Sequence, residues 1–186
     1  MVKVAYMHPT NDSKKSWIEL GYELFSEEGH EGLQVERLAR ILNKNKSGYY
    51  HYFGDKDVFL NALMAEHLER AHAYAEQIKL IKDFDPEYIQ LMVKNKTTIL
   101  FQMQLVKNRE FRIFIDTALK VNELIVPVIS PVFGRYLGVS QEEASKFWGL
   151  LRDSFYSRVT LKTFSAEWIS AFTAELRNIV SLVGQR

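Results

Sequence analysis

The sequence predicts an all-α fold, and three observations predict it. Apolar residues recur at three- and four-residue spacing along most of the chain, while strict apolar–polar alternation is nearly absent. Proline is scarce, with four in 186 residues. Residues suited to caps and left-handed turns fall between the periodic runs rather than inside them.

The first run spans about Lys14 to Glu28. Ser13 is its expected N-cap, and Trp17, Ile18, Gly21, Leu24 and Phe25 share one face. Gly29, able to take positive φ, should stop it. A short helix follows over Val35 to Leu42, with Leu38 and Ala39 inward. Asn43 suits the left-handed position of a tight turn. A third short helix covers about Lys46 to Phe53, broken by Gly54 and Asp55. A long fourth helix then carries Val58, Phe59, Ala62, Leu63, His67, Ala71, Tyr74, Ala75 and Ile78 roughly in register.

Further on, Asp85 is expected as a cap with Pro86 at the first helical position of a helix reaching about Val106. Asn108 should open the next. Pro127 and Pro131 should bend or split the apolar segment ELIVPVISPVFGRYLG. Ser140 and Glu143 have capping-box spacing ahead of a helix to about Lys162. Ser165 or Ala166 begins a last helix that ends near Gly184.

Bulk composition narrows the function classes. Formal net charge is +1, so any nucleic-acid site must be a local patch. With no cysteine, disulfides, thiol catalysis and cysteine-bound metals are excluded. The N-terminus lacks an apolar run of signal-peptide length, and nothing reaches the ~18 apolar residues of a membrane span. A cytoplasmic protein with no membrane association is expected.

The stretch NKNKSGYYHYFGDKDVFL, residues 43–60, is too polar for a core helix and too aromatic for an ordinary loop. Two short helices joined by a tight turn and braced by a longer first helix make a helix-turn-helix. Its second helix can lie in a DNA major groove. Arg37, Arg40, Lys44, Lys46 and Lys56 stand against Asp55 alone, whereas residues 19–36 carry six glutamates and no lysine or arginine. Tyr49 and Phe53, four apart, are expected to bury against the first two helices. Tyr50 and Lys46 share another face, where a phenol and an ammonium can grip phosphate. Lys46, Ser47, Gly48 and His51 should lie nearer the groove floor. Phosphate contacts set register and base contacts set sequence; this spacing does not apportion the two.

Phe25 and Gly29 at the end of the first helix, Leu38 and Ala39 in the second, and Tyr50, Phe53 and Lys56 in and after the third also form a pattern. In these residues the segment 13–64 resembles the DNA-binding domain of TetR-type (TetR/AcrR family) transcriptional regulators. The turn departs from that family's usual Gly-Val-Ser, with Asn43, Lys44 and Asn45 in its place. Gln34 stands where a threonine often touches phosphate. The expected DNA-binding set is therefore Gln34, Lys44, Lys46, Ser47, Gly48, Tyr50, His51 and Lys56.

The implied organisation is a DNA-binding domain over residues 1–56 and a helical effector-binding and dimerisation domain over 57–186, with 57–79 as the linking helix. Ala144, Phe147, Trp148, Leu151, Phe155 and Val159 form one apolar face. Trp168, Ile169, Phe172, Leu176, Ile179 and Val183 form another. Paired across a two-fold axis, these last two helices would make a homodimer; alternatively they close the monomer's own core. Residues 86–139, rich in aromatic side chains and methionine, would enclose a pocket for an unidentified small-molecule effector. Gln102, Asp116 and Asn122 are its candidate polar groups. The resemblance implies a repressor released from double-stranded operator DNA by that effector.

Two other functional classes find less support in the sequence. No zinc helix, phosphate loop or nucleophile elbow is present, so no catalytic residue, metal or cofactor is expected. A helical adaptor that binds protein partners and not DNA is the alternative; the basic, aromatic third helix argues against it.

Overall fold

Helix α1 (Thr10–Glu28) is the brace on which the N-terminal part is built. The computed structural model describes residues 10–183, of which the side chains are described from 13 to 182. Because α1 already begins at Thr10, Ser13 lies inside it and is no N-cap. Its carbonyl instead accepts from the Ser16 hydroxyl. Gly29, at φ 73°, ends α1 and opens a tight turn over Gly29–Gly32.

α2 (Val35–Ile41) closes in a Schellman motif: Asn43 sits at φ 51°, Lys44 N–H donates to the Ala39 carbonyl (2.9 Å) and Asn43 N–H to that of Arg40 (3.2 Å). α3 (Lys46–Phe53) starts from Asn45, whose side chain accepts from Ser47 N–H, and stops at Gly54 with φ 71°. Asp55 caps α4 (Lys56–Ile78) by accepting from Val58 N–H. At 1.5 Å per residue the 23 residues of α4 reach about 34 Å, from the helix-turn-helix deep into the C-terminal body.

The rest departs more from expectation. Phe84–Tyr88 forms a wide turn containing a cis Asp85–Pro86 bond. Asp85 has the extended backbone of an N-cap, with Pro86 next at the first helical position as expected, but its carboxylate takes the Ser170 hydroxyl (2.6 Å) and no helix N–H. Asn95 divides the expected single helix into α5 (Ile89–Lys94) and α6 (Lys96–Lys107). The next helix, α7 (Arg112–Leu137), opens after Phe111, not at Asn108.

α7 runs unbroken through Pro127 and Pro131. Pro127 and Glu123, whose carbonyl loses its donor to Pro127, are both exposed. Water can take up such a carbonyl, so the lost hydrogen bonds need not end the helix. α8 (Gln141–Arg158) begins with the Ser140–Glu143 capping box and stops at Val159, where Thr160 and Thr163 close a turn. α9 (Ala166–Val183) is the last described helix; the expected stop at Gly184 lies outside the described residues.

Two apolar cores result. One gathers Trp17, Tyr22, Phe25, Leu38, Tyr49, Phe53, Phe59 and Leu63, and draws in Phe101 and Leu105 from α6 and Phe114 from α7. The other fills the body between α4, α5, α6, α7, α8 and α9. α4 contributes to both, so a displacement of α4 must disturb both. The architecture is an all-α fold with an N-terminal helix-turn-helix domain and a C-terminal helical domain.

Candidate nucleic-acid interface and interior cavity

α3 is held by aromatic packing. Tyr49 meets Trp17 at 5.7 Å and Phe59 at 5.1 Å between ring centroids, and Phe53 meets Phe59 at 4.8 Å. Tyr49 and Phe53 are buried as their four-residue spacing predicts. Offset and edge-on rings at these separations add about 0.5–1.5 kcal/mol per pair beyond burial, so α3 cannot rotate cheaply. The opposite face stays open. Lys46, Ser47, Tyr50 and His51 are exposed, with Tyr50 at 52%. Gln34, at the start of α2, and Lys56, at the start of α4, are exposed on either side.

The basic residues do not all point outward unpaired. Arg37 forms a two-pronged ion pair with Glu28, and Lys46 reaches Glu36 at 3.0 Å. These hydrogen-bonded cations hold both carboxyls below the usual range. The acidic segment before the turn thus supplies counter-charges, which the sequence showed only as segregated blocks. Exposed pairs of this kind contribute little because solvent screens them, so a phosphate can displace the Lys46–Glu36 contact. Lys44 behaves differently. Its ammonium turns back onto α1, 2.5 Å from Ser16 Oγ and 3.1 Å from Ser13 Oγ. Lys56 Nζ lies 3.4 Å from the His30 carbonyl. Gly48 is half-buried, and a Cβ there would meet only Trp17 Cζ2, at 3.9 Å.

A second site lies inside the body. A cavity of about 70 Å³ is walled by α4 through α9. Gln102 and Asn122 line it as expected, but Asp116 does not. Asp116 is exposed and pairs with Arg112 at 3.4 Å, because the inward face of α7 runs through Ala118, Val121 and Ile125. Of the aromatic residues expected there, Tyr88 lines the cavity, while Phe101 and Phe114 belong to the N-terminal core and Phe111 is exposed. Tyr74 from α4, Trp148, Phe155 and Tyr156 from α8 and Phe172 from α9 take their place. Helical periodicity marked these residues as inward but could not say which shared a void.

At the edge of the cavity a buried polar chain leads back to α1. Tyr22 Oη lies 2.7 Å from His67 Nδ1, His67 Nε2 lies 2.9 Å from Gln102 Oε1, and Gln102 Nε2 donates to the Ala118 carbonyl at 3.0 Å. That last bond fixes the amide orientation. His67 therefore carries its proton on Nε2 and donates to Gln102, and Tyr22 donates to the bare Nδ1. Phe101 stacks against both the Tyr22 and His67 rings, at 4.2 and 4.5 Å. Arg70 covers the Tyr22 face at 4.0 Å. Burial pulls the His67 imidazole down to about 4, so it is neutral near pH 7.

Residues 18–63, which contain this helix-turn-helix, match the family model described as bacterial regulatory proteins, tetR family. The helix-turn-helix segment is of the TetR type. Its relatives include the HTH-type transcriptional repressor AcnR of Corynebacterium glutamicum, 37% identical over 62 residues. That match spans 33% of this chain and 32% of AcnR, so the chain covers only about a third of that relative's length. The whole fold is similar to a crystal structure from Rhodococcus sp. assigned to the TetR-family transcriptional regulators. There the TM-score is 0.55 at 15% identity, over 92% of this chain and 98% of that one. At that identity the likeness extends the TetR-type architecture to the C-terminal body and says nothing of its ligand. Among the described residues, no helix is long and apolar enough to cross a membrane.

The apolar faces expected to pair two copies are largely consumed within one chain. Ala144, Trp148, Leu151, Phe155, Val159, Ile169 and Phe172 are buried in the body's own core. What α8 and α9 leave outside is Leu150, Ile179 and Leu182, exposed at 67%, 57% and 68%.

Proposed function

We propose that this TetR-type protein is a sequence-specific DNA-binding transcriptional regulator, a repressor that releases its operator when a small molecule enters the interior cavity. The observation that carries the DNA reading is the open face of α3, where Lys46, Ser47, Tyr50 and His51 project from a helix clamped by Trp17, Tyr49, Phe53 and Phe59. Lys46, Tyr50 and Lys56 take phosphate, and Gln34 adds a contact at the start of α2. Ser47, Gly48 and His51 approach the bases. Lys44 serves the interface indirectly, by tying the turn to α1. The protein acts as a homodimer through the outer faces of α8 and α9, presenting two α3 helices about one DNA turn apart.

Release follows from α4. The same helix puts Phe59 and Leu63 into the N-terminal core and His67, Ala71 and Tyr74 against the cavity. An engineered cavity that holds benzene measures about 150 Å³, and this one about 70 Å³. Any ligand beyond a few atoms must push the walls apart, and α4 is one of them. Ligand and operator then weaken each other by the same factor, typically ~1–3 kcal/mol.

Selection of bound duplexes from a random library, followed by a salt titration, tests the reading. An inverted repeat with a steep negative salt slope is expected. Lys46→Ala should weaken binding to every sequence and flatten the slope by ~1. No enrichment of any duplex, with or without metabolite extract, would refute it.

A further inference from the structure

We propose that the interior cavity is built for a small apolar monocarboxylate, its carboxylate held at the end formed by Tyr74, Tyr88, Tyr156 and Arg152 and its hydrocarbon part among the aromatic walls. The proposal rests on the effector-pocket reading above and narrows it to a chemical class.

Tyr74 Oη is buried and makes no hydrogen bond of ordinary length to a described residue, although the Tyr88 phenol lies close enough to interact with it. A buried hydroxyl without a good acceptor is unfavourable, and a ligand able to accept from it would relieve that cost. Tyr88 lies beside it, ring centroids 6.3 Å apart, and Tyr156 is buried at the same cavity. Burial pushes all three phenols above their ordinary range, so each remains protonated and can donate. Among the described residues no aspartate or glutamate lines the cavity, and the charged wall residue is Arg152, 21% exposed at the rim. Asp153 holds Arg152 from outside through Nε and Nη2, at 3.0 and 2.9 Å, and Nη1 makes no hydrogen bond to a described residue.

Buried phenols and a guanidinium whose carboxylate partner, Asp153, lies outside the cavity suit an anion and disfavour a cation. An anionic acceptor also makes hydrogen bonds roughly twice as strong as a neutral one. Phe84, Trp148, Phe155 and Phe172 leave apolar surface for the remainder of the ligand. The small void limits that remainder to about one ring or a short branched chain, and even this must spread the walls.

Matched acids and amides test the class: benzoate against benzamide, and hexanoate against hexanamide. Each is titrated into the intact protein near pH 7 by calorimetry and thermal melting. At least one acid should bind tenfold or more tightly than its amide and raise the melting temperature. Arg152→Gln should abolish that preference, and Tyr74→Phe should weaken the acid several-fold, with circular dichroism confirming both folds. The proposal is overturned if the amides bind as well as the acids. It is equally overturned if neither acid binds up to millimolar concentration, or if both folded variants keep the acid preference. Operator release separates this from the broader reading. An acid that binds through Arg152 and leaves DNA affinity unchanged keeps the site and sinks effector release. Release by metabolite extract without acid binding keeps effector release and sinks the carboxylate.

Discussion

Protonation of His67 should destabilise the protein, by an amount its burial determines. The imidazole is fully buried between Tyr22 and Gln102 and is pulled from 6.5 to about 4. Because the folded value is the lower one, the unfolded chain binds more protons between these two values. Stability is therefore complete above about pH 6.5, falls as the pH drops, and levels off below about pH 4. The full interval, two and a half units from 6.5 to about 4, corresponds to about 3 kcal/mol, and the portion between about pH 7 and pH 5 to about 2 kcal/mol. The physical origin is desolvation, reinforced by the bonding pattern. Nδ1 accepts the Tyr22 proton, so a second ring proton has no acceptor there.

Urea unfolding at a series of pH values measures this directly, comparing the parent with His67→Gln. The variant should be less stable near neutrality, because Tyr22 and Gln102 lose a shared partner. Its stability should nevertheless fall by about 2 kcal/mol less than the parent's between about pH 7 and pH 5. Parallel profiles would refute the assignment of a neutral, buried imidazole to this chain.

Gly48→Ala separates folding from DNA binding. Its Cβ has room, and alanine favours the helix by about 1 kcal/mol, so thermal stability should hold or rise while operator affinity falls tenfold or more. Unchanged affinity in a gel-shift titration would take Gly48 away from the groove. Gly21→Ala should do the reverse. A Cβ there would stand 2.4 Å from Phe59 Cζ, inside the N-terminal core, and overpacking should cost about 1–3 kcal/mol in a denaturation experiment. Lys44→Met should lower the melting temperature by loosening the turn from α1, yet leave the salt slope of DNA binding unchanged. A slope reduced by ~1 would place Lys44 on phosphate instead.

The sequence determined most of the helix-turn-helix. Gly29 and Asn43 do adopt positive φ, Gly54 and Asp55 do end α3, Ser140 and Glu143 do form a capping box, and Tyr49 and Phe53 do bury. These are local matters, in which a residue's own backbone preference or its three- and four-residue neighbours decide the outcome. Other features depended on which face of a helix meets which partner. Asp116 and Asn122 sit six residues apart on α7, yet one pairs with Arg112 in solvent and the other lines the cavity. Lys44 and Lys46 are two apart, yet one turns to the serines of α1 and the other to Glu36. Ala144 to Phe172 read as a surface for a second copy or as the monomer's own core, and one chain buries most of it, because α8 packs against α7 and α9 against both α5 and α7. Tyr22, His67 and Gln102 are separated by 45 and 35 residues, and no spacing rule connects them. Local preference specified the helices and their ends. The mutual burial of apolar faces, a property of the whole chain, determined which side chains would share a cavity and which polar groups would have to find one another inside it.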